Sequence, residues 1–181
     1  MEKLQGQLLI ASPELADPNF RRSVVLLIEH DENGAFGVVL NHPTEVAVRD
    51  VWEEVTSVAC DSPQTVNVGG PVVGPLMAIH DQPRFSEKEV MPGIYLATSR
   101  EHLDEIVRSD KIEFRLFSGY AGWGEGQLEH ELKVGGWITR RATSAYIFSG
   151  DDLWTQVGRD ITSDVYSVLD IKHRPDDPSL N

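Results

Sequence analysis

Residues 117–132 concentrate the groups that could do chemistry in this chain. The segment mixes aromatic and polar side chains with four glycines, Gly119, Gly122, Gly124 and Gly126. A glycine-rich passage from a strand into a helix can present backbone N–H groups to a phosphate or a carboxylate. The glycine spacing matches neither the dinucleotide-binding nor the P-loop pattern, and Glu125 in the first helical turn would repel an anion. We therefore predict a tight structural turn, packed under Tyr120 and Trp123, that walls a pocket.

Carboxylates and histidines are the next candidates. Glu129 follows Glu125 by one helical turn, so the two carboxylates could share a face as an acid–base pair, although a solvated acidic face explains the same residues. The six histidines are dispersed and form no His-Glu-x-x-His motif, so we predict no metal site and no cofactor. His30 and His80 each end a predicted strand beside an aspartate, where an imidazole–carboxylate cluster could form if the strands are neighbours.

Motifs for nucleophilic catalysis are missing from the sequence. The chain contains no Gly-x-Ser-x-Gly element of the hydrolase type. Its single cysteine, Cys60, precedes Asp61, whose negative charge opposes formation of a reactive thiolate. One cysteine also excludes an intramolecular disulfide and a cysteine-rich zinc site. These features favour a non-enzymatic role over an enzyme.

Composition and charge narrow the classes of partner. The 181 residues carry 29 acidic and 16 basic side chains, which gives a formal charge of −13. The negative electrostatic field of such a chain repels phosphate groups and weighs against direct binding of nucleic acid. No apolar run approaches the roughly 20 residues that a membrane span needs. The N-terminus indicates a first strand and not a signal peptide. We therefore predict a cytoplasmic protein without a membrane span.

Hydrophobic periodicity and turn residues predict alternating strands and helices. Strands are predicted over residues 7–11, 22–30, 35–41, 66–68, 76–80, 94–97, 112–117, 137–143 and 145–148. Helices are predicted over residues 46–55 with Thr44 as N-cap, 101–109 after Ser99, about 125–133, and from Ser149 or Asp151 through residue 157. Residues 69–75 and 82–93 are predicted loops.

Hairpin signals and strand–helix–strand signals occur side by side, which predicts an α+β fold. We expect a single compact domain over residues 1–172 with an irregular mixed, largely antiparallel sheet and several flanking helices. The last residues, 173–181, are polar and interrupted by prolines, so we predict a mobile tail there.

The sequence resembles the AlgH/YqgE family of bacterial proteins over most of its length, from about residue 6 to residue 161, and four patches carry the resemblance. The patches are Asp17-Pro18-x-Phe20 before the Val-Val-Leu-Leu strand, residues 34–41 (Gly-Ala-Phe-Gly-Val-Val-Leu-Asn), Gly69-Gly70-Pro71-Val72 with the later His80, and residues 119–129 around Gly-Tyr-Ala-Gly-Trp. The chain departs from the family where His42 replaces a frequent arginine and where Val73, Gly74 and Pro75 replace an Arg-Gly element.

The resemblance implies a compact α+β fold from a bacterial cytoplasm and no particular reaction. Members are often labelled transcriptional regulators, yet the chain has no helix-turn-helix pattern with basic recognition residues. Our first hypothesis is a regulatory protein that binds a partner protein or small molecule. The candidate binding residues come from the family motifs: Asn41, Gly69, Gly70, Pro71, His80, Gly119, Tyr120, Gly122, Trp123, Gly126, Gln127 and Glu129.

Two alternatives stay open. The first is an enzyme of unknown reaction, with a pocket formed by residues 119–129, in which Asn41, His80 and Glu129 converge within about 3–4 Å of a common point. The second is a transcriptional regulator that contacts DNA.

Overall fold

The computed structural model describes residues 3–15, 17–150 and 152–172, with side chains described as far as residue 167. The predicted mobile tail and Asp151 as a helix N-cap lie outside the described residues. The strands are β1 Gln7–Ala11, β2 Val24–Asp31, β3 Gly34–Val39, β4 Pro43–Ala47, β5 Thr65–Val68, β6 Val72–His80, β7 Lys88–Met91, β8 Ile94–Ala97, β9 Phe114–Gly124 and β10 Trp137–Arg141. The helices are α1 Val48–Thr56, α2 Arg100–Val107, α3 Gln127–Lys133, α4 Ser144–Ile147 and α5 Leu153–Lys172.

The strands form one mixed, largely antiparallel sheet, which confirms the predicted α+β class. The main path runs β10-β1-β2-β3-β9-β6-β8-β7, and every neighbouring pair along it is antiparallel. Beside this path, β5 pairs antiparallel with β4 and parallel with β9. The longest strand, β9, therefore connects both halves of the sheet.

The sheet curls until its β7 edge returns to the chain just before β1. The side-chain amide of Gln5 donates a 3.1 Å hydrogen bond to the carbonyl oxygen of Glu89. Lys88 Nζ on β7 lies 2.8 Å from Glu29 Oε2 on β2. The inward-facing apolar side chains form one buried cluster, against which α5 packs through Leu153.

Helices cover the outer face of the sheet in two places. Around Trp52 and Ile106, α1 and α2 pack on β6, β8 and β9. Leu128 of α3 packs with the outward-facing residues of β1, β2 and β3. In β2, Leu26 faces the inner cluster and Val25 the outer one, so this continuous apolar run is buried on both faces.

The predicted glycine turn is wrong, because β9 continues through it to Gly124. Gly119 has φ +74, a left-handed conformation, at the β-bulge in the pairing of β9 with β6, whose extra residues lie on β6. Phe117 belongs to the inner cluster and Tyr120 packs against the same cluster, so the bulge reverses the usual alternation of side chains. The following helix begins at Gln127, later than predicted, after Gly126 at its N-cap.

Thr44 does not cap α1. It belongs to β4, and its Oγ1 donates a 2.7 Å hydrogen bond to the carbonyl oxygen of Val66. The helix begins at Val48 after Ala47, which provides no side-chain cap. Threonine has a high preference for strands, and here pairing with β5 decides between the two roles.

Other predicted boundaries also change. The strand predicted over residues 145–148 is wrong, because α4 occupies residues 144–147 and Phe148 follows it as the C-cap. Thr143 Oγ1 accepts a 3.3 Å hydrogen bond from the backbone N–H of Tyr146 at the start of this helix. The predicted loop over residues 82–93 contains a short 3-10 helix, Pro83–Phe85, and β7. The loop over residues 69–75 ends at Val72, where β6 begins. None of the helices within the described chain has the length and apolar character to cross a membrane.

Candidate functional site

Several of the candidate residues meet where β3, β5, β6 and β9 come together. The backbone N–H of Gly69 donates to the Ser118 carbonyl oxygen at 2.9 Å, and the Gly69 carbonyl oxygen accepts from the N–H of Val39 at 2.8 Å. A Cβ atom on Gly70 would lie only 2.2 Å from the carbonyl carbon of Tyr120. The structure thus brings Gly69, Gly70 and Pro71 against Gly119 and Tyr120, and the two backbones touch directly.

This junction carries a run of residues without polar side chains, residues 68–76, which we call the apolar ridge. Its sequence is Val-Gly-Gly-Pro-Val-Val-Gly-Pro-Leu. Val72 pairs with Tyr120 and Leu76 with Ser118, so residues 73–75 of β6 stand opposite the single residue Gly119. The extra residues protrude, and Val73 at the tip is 96% exposed.

A second group of candidates surrounds α3 and the carboxylate of Glu131. Glu131 Oε2 accepts hydrogen bonds from the indole nitrogens of Trp123 at 2.9 Å and Trp137 at 2.8 Å. Its Oε1 accepts from the side-chain amide of Gln127 at 2.9 Å. Gln127 in turn accepts from the N–H of Gly124 at 3.1 Å, beside the bulged strand. The carboxylate satisfies buried donors, so this group holds α3 to the sheet.

Glu129 pairs with His30 and not with Glu125. His30 Nε2 lies 2.8 Å from Glu129 Oε1, and its Nδ1 accepts a 3.1 Å hydrogen bond from the N–H of Leu4. The ring nitrogen that faces Glu129 therefore carries the proton. The hydrogen bond from His30 lowers the pKa of Glu129 below its usual value. Both nitrogens of the ring are engaged, and the pair fastens the N-terminal residues to the sheet.

Asn41 holds the chain before β2. Its Oδ1 accepts from the N–H of Val24 at 2.8 Å, and its Nδ2 donates to the carbonyl oxygen of Arg22 at 2.7 Å. The neighbouring Ser23 Oγ lies 3.1 Å from His42 Nε2, a contact between a hydroxyl and a possible base. Ser23 is fully buried, and no side chain in the described part of the chain orients the other nitrogen of His42. We interpret the pair as structural.

His80 is buried under α2, away from the other candidates. Its Nδ1 accepts a 3.2 Å hydrogen bond from the N–H of Gln82, and its Nε2 has no partner among the described residues. Nearby, Glu87 Oε1 accepts from the N–H of Ser99 at 2.8 Å, and Oε2 accepts from the N–H and hydroxyl of Thr98. Although partial burial opposes it, these hydrogen bonds lower the pKa of Glu87 to about 2.

The free energy of unfolding is expected to fall when the pH falls from about 7.5 to about 5.5. Burial lowers the pKa of both His42 and His80, so the folded chain keeps them neutral where the unfolded chain, with a histidine pKa near 6.5, takes up protons. Glu87 and Glu129 contribute to the pH dependence in a lower range. Their pKa values are lowered in the folded chain, so the stability that their ionised carboxylates provide is lost only below about pH 4.5.

Urea unfolding at each pH measures this dependence. His80→Gln is expected to reduce the slope of the free energy of unfolding against pH between about 5.5 and 7.5. His130→Gln, at an exposed position on α3, should leave this slope unchanged. An equal slope for wild type and His80→Gln would contradict the account of the buried imidazole.

The enzyme hypothesis required Asn41, His80 and Glu129 to converge, and the structure separates them. Asn41 binds Val24 and Glu129 binds His30, two β2 residues that are about 20 Å apart by strand geometry. His80 pairs with Phe114 at the start of β9. Ala35, the β3 neighbour of His30, pairs with Trp123, which lies about 30 Å from Phe114 along β9. Glu129, which binds His30, is therefore far from His80 as well.

Sequence reasoning missed the partners that hold the candidates in place. His30 was considered only for a cluster with His80 and the neighbouring aspartates, and Glu131 was not singled out. For Glu131, its position one turn after Gln127 was an available signal, because residues at i and i+4 share a helix face. The pairing of Glu131 with Trp137 depends on where β10 lies and has no local signal.

Comparisons with known proteins agree with these motifs. A family model described as DUF179, AlgH-like, matches residues 8–166. A UPF0301 protein from Streptomyces coelicolor is 39% identical over 191 residues, covering 100% of this chain and 97% of the relative. A UPF0301 protein from Xanthomonas campestris is 39% identical over 176 residues, covering 92% of this chain and 94% of the relative.

Two solved structures share the fold. The solution structure of the AlgH protein from Pseudomonas aeruginosa has a TM-score of 0.74 and 28% identity, covering 97% of this chain and 96% of that chain. The crystal structure of a protein from Corynebacterium diphtheriae has a TM-score of 0.72 and 28% identity, covering 88% of each chain. This chain therefore belongs to the AlgH-like family, as its four sequence patches implied.

Proposed function

We propose that this protein is a non-enzymatic regulatory protein of the bacterial cytoplasm that acts by binding a protein partner through its apolar ridge. The observation that carries the proposal is the exposure of Val73, 96%, at the tip of a run without polar side chains. Single exposed apolar residues are common on protein surfaces, but contiguous exposed apolar segments mark interaction sites. Pro71, Val72 and Pro75 are exposed beside Val73.

The ridge is held in shape before it meets a partner. A Cβ atom on Gly74 would lie 2.9 Å from Tyr120 Cδ1, so the ridge sits directly on this ring. Tyr120 in turn packs edge-on against Phe36, with ring centroids 5.6 Å apart. A surface that is already ordered loses little conformational freedom on binding, which favours affinity.

The expected partner presents an apolar pocket with a basic rim. Val73 would enter the pocket, because burying one valine side chain contributes about 1.5–3 kcal/mol. The chain carries a formal charge of −13, so a basic rim would speed association at low salt. The same charge disfavours the alternative of a regulator that contacts DNA itself.

Val73→Glu is expected to weaken binding of the partner at least tenfold, since a carboxylate would replace an apolar group in the pocket. The test begins with a partner that co-purifies with the tagged chain from its own host and is then purified separately. Its dissociation constant is measured for wild type and variant. Val134→Glu is the matched control, because Val134 is also exposed, 66%, but lies at the end of α3.

Three outcomes would contradict the proposal. The first is equal affinity of wild type and Val73→Glu for the purified partner. The second is equal loss of affinity in Val73→Glu and Val134→Glu, which would indicate an unspecific effect of charge. The third is the absence of any co-purifying protein whose binding can be reconstituted.

A further inference from the structure

The outer edge of β10 carries backbone groups that no other strand uses. β10 pairs with β1 along one edge, and the Gly136 carbonyl oxygen accepts from the N–H of Ser12 at 3.0 Å. The N–H of Ala142 donates to the carbonyl oxygen of Gly6 at 3.4 Å, so the even-numbered residues of this segment face the β1 side. Because backbone groups alternate between the two edges of a strand, the N–H and C=O groups of the odd-numbered residues from 137 to 141 point away from β1. They have no hydrogen-bond partner in the part of the chain that the structure describes.

The other two strands at the margins of the described sheet, β7 and β4, have their edge groups bonded or removed. On β7, the side-chain amide of Gln5 donates to the carbonyl oxygens of Glu89 at 3.1 Å and Val90 at 3.2 Å. β4 begins with a proline, which has no N–H, and the N–H of Val46 is bonded to Thr44 Oγ1 at 3.1 Å. Such devices prevent the addition of a further strand at an exposed edge. The outer backbone groups of β10 have neither device and are open to a strand.

The side chains of β10 indicate which kind of strand would fit. Ile138 is 43% exposed and shares a face with Arg140, whose Nη1 lies 2.9 Å from Asp164 Oδ2 on α5. Arg141 is exposed on the opposite face and forms no ion pair with any residue that the structure describes. The edge therefore presents one positive charge and one partly exposed aliphatic side chain, on opposite faces of the strand, in a chain whose formal charge is −13.

We propose that β10 binds an extended acidic segment of another protein by antiparallel strand addition. The backbone of the segment exchanges hydrogen bonds with the odd-numbered residues of β10, and its side chains provide specificity. A carboxylate lies opposite Arg141, and an aliphatic side chain three residues further along the segment lies opposite Ile138, because positions three apart are on opposite faces. A second copy of this chain is disfavoured, since antiparallel pairing of two β10 strands would bring four arginine side chains together.

Titration of the isotope-labelled full chain with a short peptide, followed by amide NMR shifts, tests this inference. The probe is a capped hexapeptide, acetyl-Thr-Glu-Thr-Thr-Val-Thr-amide, whose glutamate faces Arg141 and whose valine faces Ile138 in the proposed register. The amides of Thr139 and Arg141 are expected to shift saturably below about 5 mM peptide and to exchange more slowly with solvent. Lysine in place of the peptide glutamate should weaken binding about fivefold. N-methylation of the peptide residues opposite Thr139 and Arg141 should abolish binding, because it removes the N–H groups that pair with β10.

Variants of the chain separate the contribution of the backbone from that of the charge. Thr139→Pro removes an outward N–H and keeps the hydrogen bonds to β1, so it is expected to weaken binding at least tenfold without unfolding the chain. Arg141→Glu should reverse the preference, so that the lysine peptide binds more tightly than the glutamate peptide. Arg49→Glu on α1 is the matched control, because Arg49 is also exposed, 64%, and it should bind both peptides like wild type.

The inference is overturned if the glutamate peptide produces no saturable shift, which would show that the arginines of β10 only prevent strand pairing. It is also overturned if the N-methylated peptide binds equally well, or if Arg141→Glu keeps the wild-type preference. Sedimentation that shows a dimer of the chain, lost in Thr139→Pro, would assign the edge to a second copy and overturn it as well. None of these outcomes depends on the apolar ridge, so the two proposals stand or fall separately.

Discussion

Gly119→Val is expected to destabilise the fold by about 3–5 kcal/mol, a large share of the stability of an ordinary domain. Gly119 has φ +74, which a β-branched residue adopts only with strain. A Cβ atom there would also lie 2.6 Å from the carbonyl oxygen of Val72 on β6. The bulge at Gly119 lets β9 turn Tyr120 toward the inner cluster, so its loss affects both halves of the sheet.

Urea unfolding of Gly119→Val measures the loss, with Gly124→Ala as the matched control. Gly124 belongs to the same strand, but a Cβ atom on it would have no heavy atom within 4 Å, so its free energy of unfolding should change by no more than about 0.5 kcal/mol. Wild-type stability of Gly119→Val, or an equal loss in both variants, would show that the bulge is not required.

Glu131→Ala is expected to cost about 2–5 kcal/mol, because it leaves two buried indole N–H groups without their acceptor. Trp123 and Trp137 both donate to Glu131 Oε2, at 2.9 and 2.8 Å. The two rings also pack edge-on, with centroids 5.9 Å apart, so loss of the acceptor should loosen the contact of α3 with the sheet.

Glu131→Gln is the control for this prediction. A glutamine carbonyl oxygen in the place of Oε2 can accept from both indoles, and only the hydrogen bond from the Gln127 amide is lost, so about half of the loss or less is expected. Unfolding followed by tryptophan fluorescence reports on the same rings. If Glu131→Ala and Glu131→Gln were equally stable, the indole hydrogen bonds would not contribute to the stability of this region.

Local signals predicted many elements well. The bounds of β1 and β8 match the predicted strands over residues 7–11 and 94–97. Ser99 caps α2 as expected, with its Oγ accepting from the N–H of His102 at 3.4 Å. The hairpin of β2 and β3 turns at Glu32 and Asn33, and Asp31 pairs with Gly34. In each case, the residues that decide the structure are neighbours in the sequence.

The remaining features depend on distant parts of the chain. Several glycines suggested a turn in residues 117–132, yet β3 and β6 supply the pairing that extends β9 through them. The aromatic and β-branched residues at 145–148 favoured a strand, but packing of Ile147 in the inner cluster and capping by Thr143 produce α4. Local propensity is a weak guide where tertiary contacts oppose it.

The positions of some candidate site residues could be predicted from the sequence, and the positions of others depend on distant parts of the chain. Their glycines and Pro71 marked the junction that the structure brings together around Tyr120. The sequence could not show that Asn41 and His80 lie elsewhere, because their positions follow from strand order and not from spacing. The protruding tip at Val73 follows from a mismatch in pairing between β6 and β9, which periodicity within one strand does not reveal.

Photo-crosslinking from position 73 in living cells of the host tests the binding role of the apolar ridge most directly. A photoreactive amino acid replaces Val73, or Val134 in the control, because both side chains are well exposed. We predict a discrete crosslinked species containing one partner protein from position 73 and none from position 134. Absence of a crosslink at position 73, or the same crosslinked species from both positions, would contradict the proposal.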